Sequence, residues 1–496
     1  MVMKSEIQKR IRYPQYYDKL MSADEAAEFI KPKMTLGVSG FTISGYPKKI
    51  AGVLAQRARN GEKLELTVYS GASLGEEFDG ELARAGALKA RMPYQTNTDL
   101  RNAINNGEVS YHDVPLGQMP VWVKNNFLKH INVAIIEAAA IDENGNIIPT
   151  TSVGTSNIYA ECADKIIIEI NTSVPPCIEG MHDVYSPKRP PNTEPIPITK
   201  VDDLIGVPYI RCDPEKVVAV VESDIPDNGR KVLPVDDEFR QMADNLIAFL
   251  HSEVSNGRLC NPLPPLQAGV GSVSNAVLEG LAKSDFEHLT VYSEVLQNSI
   301  FDLIDQGKVD FASGTSLTLS CDKRDEFLSH LEKYKDKIVL RPQEISNHPE
   351  IIRRLGIIAI NTVIEADIYG NTNSSYVDGV RLMNGVGGSG DYCENAGLSI
   401  FITKSTAKNG TISCIVPQVS HVDHTIHEIH ALVTEQGVAD LRGLDPIDRA
   451  NTIIDNCAHP NFRAALHKYL DDAINSCKYK ENPVDMKAAV NFVKSI

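Results

Sequence analysis

The chain contains 496 residues, of which 42% are hydrophobic and 23% are charged, a composition typical of a globular protein with about two to four domains. It has neither a long uninterrupted apolar stretch nor a hydrophobic signal core near its N-terminus, which predicts a cytoplasmic protein that does not associate with membranes. The formal net charge of −16 argues against nucleic acid as a partner, because nucleic-acid binding requires a basic face.

The first half of the chain alternates between strand and helix patterns, which favours a mostly parallel sheet flanked by helices. Helical patterns cover Glu25–Ile30 and Pro47–Arg59, the second with a proline near its start. Tyr185–Thr199 is rich in proline and is predicted to be an extended surface loop. The predicted strands are Thr35–Gly40, Leu64–Ser70, Val133–Glu137, Lys165–Ile170 and Lys216–Val221.

A polar segment, Asp224–Glu238, contains two prolines and a glycine and predicts a domain junction. We therefore expect two domains, residues 1–225 and residues 226–496. The second half begins with a predicted helix at Phe239–Ser255 and ends in mostly helical sequence from Asp445 onward. Between them, the predicted elements are a strand at Leu266–Gly271, a helix at Ser274–Ala282 and a strand, turn and helix within Leu289–Gln306.

Two phrases recur between the halves in the same order. Leu66–Gly71 reads LTVYSG, and Leu289–Glu294 reads LTVYSE, 223 positions later. Ile135–Asn146 reads IIEAAAIDENGN, and Ile360–Asn371 reads INTVIEADIYGN, 225 positions later. Repetition at a nearly constant offset indicates that the two halves are related by duplication.

The repeated strand ends differently in its two copies. Gly71 follows the first copy and Glu294 follows the second. Parallel α/β sheets build their functional sites at the carboxyl ends of strands. We therefore interpret Glu294 as the reactive group, and the alternative is a solvated turn residue.

Three further segments carry candidate binding residues. Gly269–Asn275 is a glycine turn between strand and helix, which could direct backbone N–H groups at a phosphate or an oxyanion or could simply pack tightly. Asn384–Asp391 contains four glycines and is either a ligand cradle or a mobile surface loop. Asn347, shortly before a predicted helix, could bind a carboxylate or cap that helix.

Metal binding is not expected from the sequence. Four histidines follow one another at intervals of three, which on a helix spreads them over about half the circumference and on a strand puts them on alternate faces. Neither arrangement brings four ligands to one ion. None of the nine cysteines forms a CxxC pair, so we expect neither zinc nor disulfides, and we interpret Cys393 as a bystander thiol. The histidines are His421, His424, His427 and His430.

Taken together, the motifs resemble the class I coenzyme A (CoA) transferases, in particular the acetyl-CoA hydrolase/transferase branch. The resemblance rests on VYSEVLQ around Glu294, LQAGVGSVSNAVLEGL, SNHPEIIRRLG, NGVGGSGDY and VTEQGVADLRGL, and it extends through nearly the whole chain. Many members of the class carry Ser-Glu-Asn-Gly at the active glutamate. Here the sequence is Ser293-Glu294-Val295-Leu296, which favours the acetate branch over the 3-oxoacid enzymes.

The resemblance implies a fold and a set of site residues. The fold would be a pair of duplicated open α/β domains with the active site in the cleft between them, and relatives of this kind are commonly homodimers. Glu294 would be the nucleophile, with the N–H groups of Val270 and Gly388 as oxyanion donors and Asn347 near the reacting carboxylates. Glu435 would lie near the site without an assigned role. The implied CoA-binding residues are Gly269, Val270, Gly271, Ser272, Val273, Asn384, Gly388 and Lys408.

The function implied is exchange of CoA between an acyl-CoA and a short carboxylic acid, with succinyl-CoA and acetate as the expected pair. The reaction would pass through an acyl-glutamyl anhydride and a glutamyl-CoA thioester, with CoA as substrate and no permanently bound cofactor. Alternatives within the family are an acyl-CoA hydrolase and a transferase for butyryl or propionyl groups. A different class of function, a non-catalytic CoA sensor, would not need Glu294.

Overall fold

The structure, a computed structural model, describes residues 6–231, 234–269 and 271–494. Contacts between residues divide the chain into two compact units. The first comprises Met1–Lys231, Val291–Phe301 and Phe311–Arg354, and the second comprises Val232–Thr290, Asp302–Asp310 and Leu355–Ile496. Glu294 and Asn347 therefore belong to the same compact unit as the N-terminal half. The sequence-based boundary between residues 225 and 226 rests on the polar segment Asp224–Glu238 and stays a prediction.

A seven-stranded sheet forms the centre of the first unit, and its strands are all parallel. The strands of the sequence-based prediction are confirmed, with ends that differ by a few residues. The sheet also contains two strands that were not predicted, Leu88–Met92 and Ser110–Tyr111. In spatial order the strands are Ser110–Tyr111, Leu88–Met92, Leu66–Tyr69, Thr35–Val38, Val133–Ala138, Lys165–Asn171 and Val217–Ser223.

Helices of the first unit pack around this sheet. The strand side chains and the Lys49–Arg59 helix contribute to one apolar core. That helix begins after Pro47, and the buried Glu169 carboxylate accepts from the N–H groups of Lys48, Lys49 and Ile50 at 2.7–3.2 Å, which satisfies its first turn. The helices are Glu6–Arg10, Ala23–Ala27, Lys49–Arg59, Glu81–Arg84, Thr98–Asn105, Gln118–Lys124, Ser156–Cys162, Cys321–Ser329, Leu331–Tyr334 and Gln343–Ser346, with single-turn helices at Pro14–Lys19, Glu76–Gly80 and Pro176–Ile178.

Buried polar contacts tie the 311–354 segment to the N-terminal part of the first unit. Thr315 Oγ1 accepts from Gly154 N at 3.0 Å. Arg341 is fully buried, pairs with Asp183 and donates to the Asp203 carbonyl at 2.6 Å. In the same unit, Val295–Gln297 pairs in parallel with Ser316–Thr318, and Ile338–Leu340 pairs in parallel with the end of Val309–Gly314.

The second unit contains five neighbouring strands of one sheet and an apolar core. Leu266–Ala268, Ile358–Thr362, Leu398–Ile402 and Ala431–Thr434 are parallel neighbours in that order, and Gly437–Asp440 closes the edge as an antiparallel strand. Short strand pairs extend from it, and the C-terminal helices pack on an apolar cluster. The helices are Asp237–Ser255, Ser272–Lys283, Ser389–Cys393, Pro446–Cys457, Pro460–Ser476 and Met486–Lys494.

The remaining elements are of two kinds: short paired strands, and elements whose residues are divided between the two units. Hairpins pair Ala140–Ile141 with Ile147–Ile148, Tyr376–Val377 with Arg381–Leu382, and Thr406–Ala407 with Ile412–Ser413; Glu365–Asp367 lies between Thr372–Asn373 and Ile415–Val416. The elements that cross are Leu289–Tyr292, Asn298–Asp305, Val309–Gly314 and Pro349–Leu355. The prediction of an α/β fold with mostly parallel sheets is confirmed.

The repeat is visible in the hydrogen bonds of one turn. Oδ1 of Asp142 accepts from the backbone N of Asn146 at 2.8 Å, and its Oδ2 accepts from Asn146 Nδ2 at 2.9 Å. Asp367 makes the same two bonds with Asn371, both at 2.9 Å. Gly145 and Gly370 occupy equivalent positions with φ of 84° and 101°, a conformation that favours glycine. Each half therefore builds the same aspartate-centred turn.

Within the described residues, every helix is too short or too polar to span a bilayer.

Candidate active site

Glu294 follows a buried strand of the repeat, as the sequence predicted. It stands directly between Leu289–Tyr292 and the short strand Val295–Gln297, and it is half-buried. Its backbone carbonyl accepts from Thr315 N at 2.7 Å and from Ser316 N at 3.2 Å. These bonds hold the Glu294 backbone in place and so fix the point from which its carboxylate side chain projects.

Asn347 holds the Glu294 carboxylate. Its Nδ2 lies 2.6 Å from Glu294 Oε1, and the asparagine is fully buried. Ser346 Oγ donates to Asn347 Oδ1 at 3.2 Å, which orients the amide with its NH₂ group toward the carboxylate. A hydrogen bond of this length to a charged acceptor is a strong one. The arrangement restricts Glu294 to a single orientation.

His348, and not Asn347, provides the side-chain cap of the following helix. The Pro349–Leu355 helix receives a side-chain cap from His348, whose Nδ1 accepts from Glu350 N at 3.3 Å. Asn347 itself ends the preceding Gln343–Ser346 helix through its backbone N–H, which donates to Gln343 O at 3.0 Å. Its side-chain amide therefore donates to Glu294 while its backbone terminates a helix.

Gly71, the counterpart of Glu294 in the first half, has no room for a side chain. A Cβ built there would lie 2.8 Å from Gly40 O, 2.9 Å from Phe41 Cδ2 and 3.0 Å from Gln343 Oε1. Contacts of this length with backbone and a ring require a rearrangement of the surroundings. The two copies of the repeat therefore differ in packing as well as in chemistry.

Residues that the sequence analysis missed support the Glu294–Asn347 pair. Gln343 is fully buried; its Oε1 accepts from Thr155 Oγ1 at 2.9 Å and its Nε2 donates to Leu116 O at 2.5 Å. Tyr292 Oη donates to Ile345 O at 2.7 Å. These bonds anchor the short helix that ends at Asn347. The available signal was the run of polar residues directly before Asn347, which is unusual for a buried helix.

The predicted CoA-binding turn lies in the second unit. Gly269 N donates to Ile360 O at 3.0 Å. The Ser272–Lys283 helix begins two residues after Val270, which lies outside the described residues. Gly271 has a φ of 135°, and a Cβ there would meet open space. The first helical turn, which includes Ser272 and Val273, directs N–H groups out of the helix N-terminus, an arrangement suited to anions.

The glycine-rich segment is also part of the second unit. Gly385 and Gly387 have φ of 133° and 68°, so these two positions favour glycine. Gly388 is buried and precedes the Ser389–Cys393 helix. Ser389 Oγ donates to Val386 O at 2.9 Å. The segment is therefore held by internal hydrogen bonds, and Asn384 at its start is half-buried.

Lys408 and Glu435 occupy two other turns of the second unit. Lys408 is exposed at the tip of a hairpin with a φ of 47°, where its ammonium is accessible to an anionic ligand. Glu435 accepts from Ser405 N at 2.9 Å, from the Ser405 hydroxyl and from Gln436 Nε2 at 3.0 Å. Burial acts to raise the pKa of Glu435, but these hydrogen bonds outweigh it and hold the pKa below its usual value. Glu435 is therefore an ionised, firmly held carboxylate.

Comparison with known proteins identifies the family. Residues 3–222 match the acetyl-CoA hydrolase/transferase N-terminal domain and residues 324–470 match the C-terminal domain. The succinyl-CoA:acetate CoA-transferase of Clostridium kluyveri is 48% identical over 95% of this chain and 87% of its own length. An acetyl-CoA hydrolase of Schizosaccharomyces pombe is 43% identical over 96% of this chain and 94% of its own.

A solved structure shares the fold at lower sequence identity. RipA from Yersinia pestis superposes with a TM-score of 0.72 at 22% identity, covering 94% of this chain and 99% of its own. The two domain matches together cover more than half of the chain, and the two relatives above cover 95% and 96% of it. The resemblance inferred from the motifs is confirmed: the chain belongs to the acetyl-CoA hydrolase/transferase family of enzymes.

Proposed function

We propose that this protein is a CoA-transferase that moves CoA from an acyl-CoA to a short carboxylic acid, with succinyl-CoA and acetate as the substrate pair. Family membership and the similarity to a succinyl-CoA:acetate CoA-transferase support the reaction class. The observation that carries the proposal is the 2.6 Å bond from Asn347 Nδ2 to Glu294 Oε1. It presents a single oriented carboxylate, which is what nucleophilic attack on a thioester requires.

In the proposed reaction, a Glu294 carboxylate oxygen attacks the thioester carbonyl of the acyl-CoA. The tetrahedral intermediate expels CoA thiolate and leaves an acyl-glutamyl anhydride. The thiolate then attacks the Glu294 carbonyl carbon, releases the first carboxylic acid as its anion and forms a glutamyl-CoA thioester. The incoming carboxylate repeats these steps in reverse, so the acceptor leaves as an acyl-CoA and Glu294 is restored.

The roles of the other site residues in this reaction follow from the family resemblance. Gly388 N–H and Val270 N–H are proposed as donors to the tetrahedral oxyanion, and losing one such donor typically costs about 2.7–4 kcal/mol of transition-state stabilisation. The Gly269–Val273 turn, Asn384 and Lys408 are proposed to bind CoA. Helix N-terminal N–H groups and an exposed lysine suit its phosphates. CoA is a substrate here, and we propose no permanently bound cofactor. We also propose that the protein is a homodimer.

An acyl-CoA hydrolase is the second candidate. It is supported by the similarity to an acetyl-CoA hydrolase. In that reaction water replaces the acceptor acid and attacks the acylated Glu294. The two functions share the nucleophile and differ only in what completes the cycle.

Acceptor dependence distinguishes these functions. Purified protein is incubated with succinyl-CoA, with and without isotopically labelled acetate, and acetyl-CoA and free CoA are measured separately. A transferase forms labelled acetyl-CoA and releases little free CoA without acetate. Release of free CoA at an undiminished rate without acetate would identify a hydrolase. Absence of both products, with binding of CoA that survives Glu294→Ala, would point to a sensor and contradict the proposal.

A further inference from the structure

Three side chains of the second unit converge on one point outside the residues assigned to CoA transfer. Cys393 Sγ lies 3.5 Å from His424 Nδ1, and Glu428 Oε2 lies 3.4 Å from the same nitrogen and 3.9 Å from the sulfur. Cys393 and His424 are 3% and 1% exposed. The Glu428 side chain is 21% exposed, which leaves a path from solvent. A thiol, an imidazole and a carboxylate thus present one ligand atom each to a common centre.

The separations match three corners of a tetrahedral metal site. Zinc binds sulfur at about 2.3 Å and nitrogen or carboxylate oxygen at about 2.0–2.2 Å, so ligand atoms around one tetrahedral ion lie about 3.3–3.6 Å apart. Two of the three distances fall in this range, and the third exceeds it by a few tenths of an ångström. A modest rotation of the partly exposed Glu428 side chain would close that difference.

The surrounding hydrogen bonds prepare His424 to act as a ligand. Ser389 Oγ lies 2.9 Å from Val386 O and 2.8 Å from His424 Nε2. When the hydroxyl proton is donated to Val386 O, the Ser389 oxygen accepts from Nε2–H, and the lone pair of Nδ1 then faces Cys393 and Glu428. A metal-bound histidine is typically fixed through its other nitrogen in this way.

The carboxylate is also oriented by a neighbour. Thr425 Oγ1 donates to Glu428 Oε1 at 3.1 Å. Glu428 Oε2 is the oxygen that points toward His424 and Cys393. Hydrogen bonds to His424 Nε2 and Glu428 Oε1 thus help to position two of the three ligand side chains, and Thr425 N also donates to Glu428 Oε2 at 3.3 Å.

We propose that Cys393, His424 and Glu428 bind one divalent cation of the zinc type through Sγ, Nδ1 and Oε2, with water in the fourth position. Binding requires the thiolate, so the Cys393 proton leaves to solvent when the ion enters. The ion would fasten the Ser389–Cys393 helix, directly after the glycine-rich segment, to the 424–428 segment.

The proposed site does not require the four histidines at intervals of three to bind one ion. Only His424 of that run takes part, and the other two ligands come from Cys393, 31 positions before it in the chain, and from Glu428. The competing arrangement is a metal-free contact between the His424 imidazole and the Glu428 carboxylate. The two differ in whether a thiolate is present.

Cobalt binding tests the proposal directly. The full-length protein is dialysed against chelator and titrated with Co²⁺. We expect one equivalent to bind per chain with a near-ultraviolet thiolate-to-cobalt charge-transfer band, which Zn²⁺ then displaces. Cys393→Ser should abolish the band. The matched control Cys414→Ser, which alters another buried thiol of the same unit, should leave it unchanged.

Two further measurements keep the test decisive if Cys393→Ser folds poorly. X-ray absorption of the zinc-loaded, unmodified protein should show one sulfur ligand at about 2.3 Å. Ser389→Ala, which removes the partner of His424 Nε2 together with the bond to Val386 O, should weaken zinc affinity by about 10- to 100-fold. Absence of stoichiometric binding, binding without a sulfur ligand, or a charge-transfer band that persists in Cys393→Ser would overturn the proposal.

Discussion

Replacing Asn347 by alanine should slow catalysis without unfolding the protein. The change removes the Nδ2 donor that lies 2.6 Å from Glu294 Oε1, while the alanine backbone N–H can still end the Gln343–Ser346 helix through its 3.0 Å bond to Gln343 O. Hydrogen bonds to charged groups are worth about 1.5–3 kcal/mol. At about 1.4 kcal/mol per factor of ten, kcat/KM should fall by about 10- to 150-fold.

Steady-state kinetics with succinyl-CoA and acetate measure the effect, and thermal unfolding monitors stability. The matched control is Asn132→Ala, which removes a 2.9 Å side-chain bond to Thr35 N at the opposite, amino end of the strands in the same unit. Its kcat/KM should stay within about twofold of the unmodified protein, since it leaves the Glu294 region untouched. Equal kcat/KM in Asn347→Ala and the unmodified protein would refute the claim that this bond orients the nucleophile.

The remaining predictions concern stability in the first unit. Gly71→Ala should destabilise the protein by about 1–3 kcal/mol in denaturant titration, because its Cβ would lie 2.8 Å from Gly40 O; an unchanged midpoint would show that the space is available. Burial lowers the pKa of His182 from 6.5 to about 4, so the unfolded chain binds a proton at this residue at a higher pH than the folded protein does. The free energy of unfolding should therefore be unaffected by His182 above pH 6.5 and should fall by up to about 3 kcal/mol as pH falls toward 4. His182→Gln should flatten that part of the stability profile, and an identical slope would contradict the assignment. Arg341→Ala leaves Asp183 buried without its ion-pair partner and should cost about 3–5 kcal/mol, whereas a loss below about 1 kcal/mol would show that water replaces the guanidinium.

Much of the fold follows from local sequence patterns. The buried strand Leu66–Tyr69 and its repeat Leu289–Tyr292 are continuous apolar runs bounded by turns, and such runs are readable without tertiary information. The shared DxxGN-type turn is readable as well, because Gly145 and Gly370 occupy a conformation that few other residues adopt. These features identified the duplication and directed attention to the residue after the second strand copy.

Contacts between distant segments were not accessible in the same way. The bond from Asn347 to Glu294 joins residues 53 positions apart, and a side-chain amide before a helix is equally compatible with capping. Residues 311–354 belong to the first unit, where Arg341 forms a buried ion pair with Asp183, 158 positions before it in the chain. No local pattern marks such a pair, because a charged residue in sequence looks the same whether it is solvated or buried.

The Cys393–His424–Glu428 cluster illustrates the same limit. Sequence spacing argues against four histidines on one ion, but ligands can also come from separate segments. Cys393 belongs to a short helix and His424 to an irregular segment that bridges to Thr372. Only the folded chain brings them together.

The most direct test of the central claim is mass spectrometry of the protein trapped during turnover. The protein is mixed with succinyl-CoA in the absence of acetate, treated with borohydride to reduce any thioester to the alcohol, digested and sequenced. We expect reduction of the glutamate at position 294, which disappears when acetate is added before borohydride and in Glu294→Gln. An unmodified Glu294 in protein that still transfers CoA would contradict it.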